Sequence, residues 1–212
     1  IENEFIDLGK APPSNNYVSK DNYHSEEATF PLKVMVCNHC WLVQTEDFSE
    51  ADELFTDEYA YFSSTSKSFL EHAKNYVSKI TSFLELNQNS FVVELASNDG
   101  YLLKNFVKLG IPCLGIEPTK STAKASREKG IETVEEFFGK DVAAELSKTK
   151  KADLIIGNNV YAHVPDINDF TDGIKELLSS KGTVTLEFPH LVELVKNNQF
   201  DTIYHEHYSY LS

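Results

Sequence analysis

The stretch FVVELASNDGYLLKNF, residues 91–106, constrains the fold of this chain more than any other segment. An apolar run that carries Glu94 leads into a small polar turn at residues 96–100, and an apolar-periodic helix follows. In doubly wound α/β domains a buried parallel strand ends in such a turn, and ligands bind at the carboxyl ends of the strands. The stretch therefore predicts a cofactor site at this turn.

Strand and helix patterns alternate from residue 91 onward, with short links between them. This alternation predicts an α/β fold, a doubly wound parallel sheet with helices on both faces. We expect five strands, the last over residues 183–188 after a turn at Gly182. Complete sheets of this kind usually have more strands, and the chain starts at Ile1 rather than Met, so we expect a fragment whose sheet is incomplete at its C-terminal edge. Helices are predicted over residues 66–86, 119–129 and 166–178.

Residues 1 to about 48 lack helical periodicity and contain one alternating run, LKVMVCNHCWLVQT. That run predicts two short strands joined by a turn that carries Cys37 and Cys40. Two thiolates at this spacing form half of a zinc ribbon, which needs a second pair of ligands. The alternatives are two buried thiols or a redox pair, and His24 or His39 could replace the missing cysteines. We expect a small β-rich, zinc-ribbon-like remnant over residues 1–57.

A tyrosine-rich connector and an amphipathic helix follow over residues 58–88, and the α/β domain is expected over residues 89–212. Tyr59 and Tyr61 in the connector are candidate ligand contacts, because a segment that leads into a nucleotide domain can close over the site as a lid. The alternative is that both tyrosines are buried aromatic residues of the core or of an interface.

The composition excludes several kinds of partner. Acidic residues number 33 against 19 lysines and arginines, a formal net charge of -14, and Arg127 is the only arginine. This balance disfavours a nucleic-acid-binding surface. No apolar run reaches about 18 residues, so no membrane span is expected. Three cysteines in a chain of 212 residues favour a reducing, cytoplasmic setting over a disulfide framework.

Polar residues follow two further strands of the predicted sheet. Glu117 ends the second strand, where a carboxylate can accept both ribose hydroxyls of an adenosine. Asn158 and His163 follow the fourth strand, and we expect the reaction site at its carboxyl end. The alternative for His163 is a loop histidine without a role.

The closing segment DTIYHEHYSYLS combines histidines, tyrosines and a glutamate. In an extended conformation, His205 and His207 would share one side of the chain, and Tyr204 and Glu206 the other. Two histidines and a glutamate at this spacing can bind a metal, and they can equally act as an acid/base pair. The spacing alone does not choose between these two kinds of site.

Four motifs together resemble S-adenosylmethionine-dependent sugar C-methyltransferases, which act on nucleotide-linked keto-sugars in deoxysugar biosynthesis. The motifs are CNHCWLVQ, ELASNDGYLL, GIEP and DTIYHEHYSYLS. The resemblance implies a zinc-binding N-terminal domain, a Rossmann-like methyltransferase domain and a C-terminal domain that helps to hold a nucleotide-sugar substrate. The chain departs from this pattern because it lacks the first cysteine pair and the C-terminal domain.

The resemblance also implies roles for individual residues. His207 is the implied general base, and Cys37 and Cys40 are the implied ligands of a structural zinc. The sugar site is lined by Tyr204, Glu206, His163 and either Tyr59 or Tyr61. The cofactor S-adenosylmethionine is held at its methionine part by Glu94, Ser97, Asn98, Asp99 and Gly100, and at its ribose by Glu117, with Asn158 as a further cofactor contact.

The chemistry of carbon methylation supports this assignment. A proton next to a ketone must be removed while hydrogen-bond donors stabilise the enolate oxygen. A histidine with a pKa near neutral suits the proton transfer, and Tyr204 or His163 suits the stabilisation. The positive charge of the sulfonium activates the methyl group, so the reaction needs no catalytic metal.

Three alternatives remain at this stage. An O- or N-methyltransferase has the same kind of cofactor turn, and only the histidine-rich closing segment argues against it. A nicotinamide-dependent oxidoreductase shares the strand, the turn and the ribose acid, but its first turn normally has three glycines, whereas this turn has only Gly100. A non-catalytic zinc- and cofactor-binding module would not need the YHEHYSY cluster.

Overall fold

The described part of the chain forms two units. The computed structural model describes residues 3–14, 17–46 and 62–212. The first unit comprises residues 1–54, 159–165 and 187–212, and the second comprises residues 55–158 and 166–186. The N-terminal segment therefore belongs to the same unit as two segments that come much later in the sequence.

The helices and strands of both units have the following bounds. The strands are β1 (Asn3–Ala11), β2 (Phe30–Val36), β3 (Val43–Thr45), β4 (Val92–Leu95), β5 (Cys113–Ile116), β6 (Glu132–Val134), β7 (Ala152–Asn158), β8 (Leu178–Glu187) and β9 (Ser209–Tyr210). The helices are α1 (Lys67–Phe83), α2 (Leu103–Lys108), α3 (Lys120–Glu128), α4 (Lys140–Ser147), α5 (Ile167–Leu177) and α6 (Leu191–Lys196). Among the described residues, no helix is both long enough and apolar enough to span a membrane.

The first unit is built on an antiparallel sheet with the strand order β1-β2-β3-β9. The turn between β2 and β3 carries the Cys-x-x-Cys motif. In this turn the Cys37 N–H donates to the Leu42 carbonyl, and the Trp41 N–H donates to the Cys37 carbonyl, both at 2.9 Å. The closing segment packs on the sheet through a small apolar core formed by Val34, Val43, Leu194 and Tyr210.

The second unit is built on a five-stranded sheet with the order β6-β5-β4-β7-β8. β4 pairs in parallel with both β5 and β7, and β5 pairs in parallel with β6. β4 is the first of these strands in the chain and lies at the centre, so the chain winds outward in both directions from it. The carboxyl ends of β4 and β7 are therefore the switch point at which such sheets bind ligands. The predicted fold class is confirmed.

Helix α1 shows how the sequence pattern sets the packing of the second unit. Ser66 caps the helix, because its side chain accepts the N–H of Phe69 at 3.3 Å. Apolar residues recur every three or four positions, and Ala73 and Val77 are buried in the core of the unit. The helix predicted over residues 66–86 is confirmed, with a shorter C-terminal end.

The turn predicted at Gly182 is wrong. Gly182 lies inside β8, because that strand begins at Leu178, directly after α5. A Cβ atom at Gly182 would lie 2.7 Å from the Ala152 carbonyl oxygen, so the glycine allows a close approach of two backbones. Strand β1 was not predicted, because most of its residues are exposed and leave no alternating apolar pattern.

Candidate active site

The turn after β4 has a strained backbone. Ala96, Asn98 and Gly100 have positive φ angles of 53°, 49° and 73°, a region that favours glycine. A side chain does not fit at Gly100, because its Cβ would lie 2.9 Å from Ser126 Oγ and still closer to the side chain of Ile131. Such a bend persists only where neighbouring elements hold it.

Neighbouring elements hold this turn through hydrogen bonds. The Ser97 N–H donates to the Ile116 carbonyl of β5 at 3.1 Å. The Asn98 N–H donates to Glu117 Oε2 at 2.8 Å, and Asn98 Oδ1 accepts the N–H of Ser63 at 2.9 Å. The adjacent strand and the segment before α1 thus both fix the conformation of the turn.

Three buried carboxylates surround the turn. Glu94, Asp99 and Glu117 are 1%, 3% and 5% exposed. Burial raises the pKa of Glu94 well above its usual range, and the charges of Glu117 and Asp99 act in the same direction. A hydrogen bond from Tyr101 opposes this shift. Within the described part of the chain only Asp99 of these three has an ion-pair partner, Lys129 at 2.9 Å, so the site favours the binding of a cation.

Three buried polar atoms at the turn have no hydrogen-bond partner among the described residues: Glu94 Oε2, Ser97 Oγ and Asp99 Oδ1. Buried polar atoms in folded proteins are nearly always paired, so this cluster indicates a ligand that supplies donors. An amino-acid ammonium group has three donors and a positive charge. The residues therefore fit the amino-acid part of the cofactor that the sequence resemblance implies.

Glu117 is already bound by three donors of the protein. Its Oε1 accepts the Thr119 N–H and the Thr122 hydroxyl, both at 3.0 Å. Its Oε2 accepts the Asn98 N–H at 2.8 Å. A carboxylate has about four acceptor positions, so one position remains for a ribose hydroxyl while the turn keeps this conformation.

The closing segment forms a second cluster, which lies in the first unit. Residues 204–207 form a turn in which the His207 N–H donates to the Tyr204 carbonyl at 3.0 Å. His207 Nδ1 lies 2.7 Å from the Thr202 carbonyl, which can only accept, so Nδ1 carries the proton of the neutral ring. Nε2 is therefore the basic nitrogen, and it accepts the hydroxyl of Tyr204 at 2.9 Å.

The ring of His163 packs against the ring of His207. The ring centroids of His163 and His207 are 4.5 Å apart. Burial and the neighbouring His207 lower the pKa of His163 to about 3. Burial also lowers the pKa of His207, although the Thr202 carbonyl opposes this. Both rings are therefore neutral near pH 7, and His207 can accept a proton.

Two hydrogen bonds tie the cluster to the N-terminal part of the first unit. The Thr45 hydroxyl in β3 donates to the His207 carbonyl at 2.9 Å. The Ser14 hydroxyl donates to Glu206 Oε1 at 2.6 Å. Since Glu206 is 2% exposed, this contact pairs part of a buried carboxylate that would otherwise be costly.

The closing segment is not extended at residues 204–207, so the arrangement considered for an extended chain does not occur. The turn brings Tyr204 and His207 together, whereas His205 lies apart, with its Nε2 3.1 Å from the Pro31 carbonyl in β2. His205 and His207 therefore do not form a metal-binding pair. The acid/base alternative is the one that this geometry favours.

Cys37 and Cys40 form a thiol pair on the β2–β3 turn. The His39 N–H donates to Cys37 Sγ at 3.4 Å, and hydrogen bonds with Cys40 and His39 lower the pKa of Cys37. A stabilised thiolate suits a metal site. No third ligand joins the pair within residues 3–14, 17–46 and 62–212. Two cysteines at this spacing can supply half of a tetrahedral zinc site.

Asn158 is the last residue of β7 and is partly buried. Tyr59 and Tyr61 lie outside the described residues.

Comparison with known proteins identifies the family. A family model described as "Methyltransferase domain" matches residues 69–212. The chain belongs to this methyltransferase family. S-adenosylmethionine is accordingly the cofactor of the methyltransferase domain. A second model, described as "Putative zinc binding domain", matches residues 2–55 and supports a structural zinc in this part of the methyltransferase.

One curated relative agrees with this assignment, and solved structures are similar in fold. The methyltransferase is 35% identical over 210 residues to the protein "C-methyltransferase NovU" of Streptomyces niveus, which covers 99% of this chain and 50% of the relative. The chain thus spans about half the length of its curated relative. The PH0226 protein of Pyrococcus horikoshii OT3 has the same fold, with a TM-score of 0.51 at 17% identity over 69% of this chain and 66% of that chain. A SAM dependent methyltransferase from Archaeoglobus fulgidus aligns with a TM-score of 0.49 at 16% identity, over 64% of this chain and 61% of that chain.

The oxidoreductase and the non-catalytic module are excluded by this family membership, and the predicted resemblance to a C-methyltransferase is confirmed. Several residues that shape the two clusters were not predicted. Thr202 acts through its backbone carbonyl, which carries no sequence signal. Lys129 and Ser14 reach their carboxylate partners from 30 and 192 residues away, distances at which spacing rules give no information.

Proposed function

We propose that the full-length protein methylates a carbon atom of a nucleotide-linked keto-sugar, with S-adenosylmethionine as the methyl donor. The observation that carries this proposal is the neutral His207, whose Nδ1 is fixed by the Thr202 carbonyl and whose Nε2 is left as a base beside Tyr204. Methylation of oxygen or nitrogen uses a lone pair that is already present. Methylation of carbon next to a ketone needs such a base.

The turn after β4 is the proposed cofactor site. Glu94, Ser97 and Asp99 direct unpaired oxygens that suit the ammonium group, and Glu117 has one acceptor position left for a ribose hydroxyl. Asn98 and Gly100 give the turn its shape, and Asn158 lies at the carboxyl end of the neighbouring strand. When bound, the cofactor supplies an electrophilic methyl group on a sulfonium.

The histidine cluster is the proposed enolisation site. His207 Nε2 takes the proton from the carbon next to the ketone, and the electron pair of the broken C–H bond moves toward the carbonyl oxygen to form the enolate. The protonated Nε2 can then donate to Tyr204 Oη, which turns the tyrosine hydroxyl into a donor for the enolate oxygen. The enolate carbon would form the new bond to the methyl carbon as the methyl–sulfur bond breaks with its electron pair left on sulfur, and His207 would return its proton to solvent.

Glu206 and His163 complete the proposed sugar site. Glu206 keeps one oxygen bound to Ser14, so its carboxylate is held in a fixed orientation for a sugar hydroxyl. His163 is neutral because burial lowers its pKa to about 3. A neutral ring beside His207 leaves the proton affinity of the base higher than a charged ring would.

The test of the proposal is product analysis with the full-length protein. The protein is incubated with a panel of nucleotide-linked keto-deoxysugars and a cofactor carrying a ¹³C-labelled methyl group, and the product is examined by NMR. We expect a methyl resonance coupled to a sugar carbon, and its loss in the His207→Ala variant, which keeps its affinity for S-adenosylhomocysteine. A label on oxygen or nitrogen, or undiminished turnover in the variant, would contradict the proposal.

A further inference from the structure

The side chain of Lys129 meets the cofactor turn from the C-terminal end of α3. Its Nζ donates to three acceptors: Asp99 Oδ2 at 2.9 Å, Ser64 Oγ at 3.2 Å and the backbone carbonyl of Asp99. An ammonium group has three donors, so all three are used. A lysine that is 31% exposed at its side chain is usually mobile in solvent, but this one is fully engaged.

The contact with Asp99 decides which of its oxygens is offered to a ligand. Oδ2 is bound by Lys129, whereas Oδ1 is buried without a partner among the described residues. A buried carboxylate without any cation would be strongly destabilised. Lys129 therefore pairs one oxygen of Asp99 and fixes the rotation of the carboxylate, with Oδ1 left available.

The contact with Ser64 joins a second segment to the same turn. Ser63–Thr65 forms a short 3-10 helix, and its Ser63 N–H donates to Asn98 Oδ1 at 2.9 Å. The Lys129 bond to Ser64 is a second attachment, one residue along the chain. The segment before α1 is thus held on the turn by the side chains of Asn98 and Lys129.

We propose that Lys129 is a positioning residue of the cofactor site, which acts through Asp99 and Ser64 to hold the turn in its binding conformation. This inference rests on the placement of the cofactor at the turn, as proposed above. Lys104 does not duplicate this role in the geometry, although its charge also lies near Asp99. Lys129 combines a charge with three directed hydrogen bonds, and it is the directed bonds that set the orientation of Asp99.

Two explanations of Lys129 predict opposite effects, and this makes the inference testable. If Lys129 acts only as a positive charge, its removal should strengthen the binding of both ligands, because both carry an ammonium group, and of S-adenosylmethionine more, because its sulfonium adds a second positive charge. If Lys129 positions Asp99, its removal should weaken both ligands, because both carry the same ammonium group.

The experiment is calorimetric titration of the full-length protein with both ligands. We expect Lys129→Met to weaken S-adenosylmethionine and S-adenosylhomocysteine alike, each by about tenfold, since a hydrogen bond to a charged group is stronger than one between neutral groups. In an Asp99→Asn background the same substitution should add less than about twofold, because the pair no longer acts through a charged carboxylate. Lys124→Met, an exposed lysine on the same helix, is the matched control and should change neither affinity.

A milder variant keeps the test independent of folding. Ser64→Ala removes one acceptor of Lys129 and should weaken both ligands about two- to threefold, with the thermal midpoint of the unliganded protein unchanged. Wild-type affinity for both ligands in Lys129→Met, or tighter binding of either ligand, would overturn the inference. Failure of the wild-type protein to bind either ligand would instead overturn the proposed cofactor site.

Discussion

Glu94→Gln is expected to make the protein more stable and a poorer binder at the same time. Burial, together with Glu117 and Asp99, raises the pKa of Glu94 above its ordinary value of 4.5. In the pH range between that value and the raised one, the folded state keeps a proton that the unfolded state has lost. The contribution of Glu94 to stability therefore falls as pH rises through this range. Glutamine does not titrate, so the variant avoids this loss.

The size of the effect follows from the environment of the carboxyl group. Glu94 is 1% exposed and its Oε2 has no partner among the described residues. A buried polar group without a partner costs about 1–3 kcal/mol, and each unit of pKa shift corresponds to about 1.4 kcal/mol. We expect the variant to gain about 1–3 kcal/mol in free energy of unfolding at about pH 8. The gain should disappear near pH 4, where Glu94 is protonated in both states.

The measurements are thermal unfolding of the ligand-free protein at both pH values and calorimetric titration with S-adenosylmethionine. A gain of 1 kcal/mol raises the midpoint by about 2–4 °C in a protein of this size. Binding should weaken at least about tenfold, because a charged hydrogen bond to the ammonium group is lost. In the wild type, binding should release a proton from Glu94, seen as a dependence of the enthalpy on the buffer. A variant that is less stable at about pH 8 and binds normally would contradict both the raised pKa of Glu94 and its contact with the ammonium group.

Three further predictions concern the turn, the base and the thiol pair. Gly100→Ala should destabilise the protein by about 1–3 kcal/mol in thermal unfolding, because φ is 73° and no space exists for a Cβ. Gly110→Ala is the control for backbone strain alone, because Gly110 has a φ of 70° but open space around it. Equal losses of stability in both variants would show that the Cβ clash at Gly100 contributes nothing. The acid limb of the turnover profile should lie below pH 6.5, because burial lowers the pKa of His207 and the base stays neutral until the pH falls through that lowered value; a limb above pH 7 would contradict this. Removal of metal by a chelator should leave the affinity for S-adenosylhomocysteine unchanged in titration. The reason is that Cys37 and Cys40 belong to the first unit, whereas the cofactor turn belongs to the second. A large loss of affinity would contradict a purely structural zinc.

Much of the second unit could be predicted from the sequence, because its signals are local. The alternation of strands and helices after residue 91 reflects burial of β4 and β7 from both faces, and the polar turn at residues 96–100 marks the strand end. Patterns of this kind can be predicted because they depend only on residues that are close together in the sequence. The prediction for Gly182 was wrong because a glycine in a turn and a glycine at a close approach of two backbones give the same signal in a single sequence.

The histidine cluster was predicted in its members but not in its geometry. The alternation of polar and aromatic residues in the closing segment suggested an extended chain, whereas a turn brings Tyr204 and His207 together. The conformation depends on distant partners, among them the Thr45 hydroxyl and the carbonyl of Pro31. Contacts across more than 150 residues leave no periodic trace in the sequence. The contact of Lys129 with Asp99, across 30 residues, leaves none either.

The central claim, that His207 removes a proton from carbon, is tested most directly by hydrogen exchange. The full-length protein is incubated with a nucleotide-linked keto-deoxysugar and S-adenosylhomocysteine in D₂O, so that enolisation occurs without methyl transfer, and the proton next to the ketone is followed by NMR. We expect loss of that proton signal with the wild-type protein and its retention with His207→Ala at equal occupancy of the cofactor site. Exchange at the wild-type rate in the variant would show that His207 is not the base.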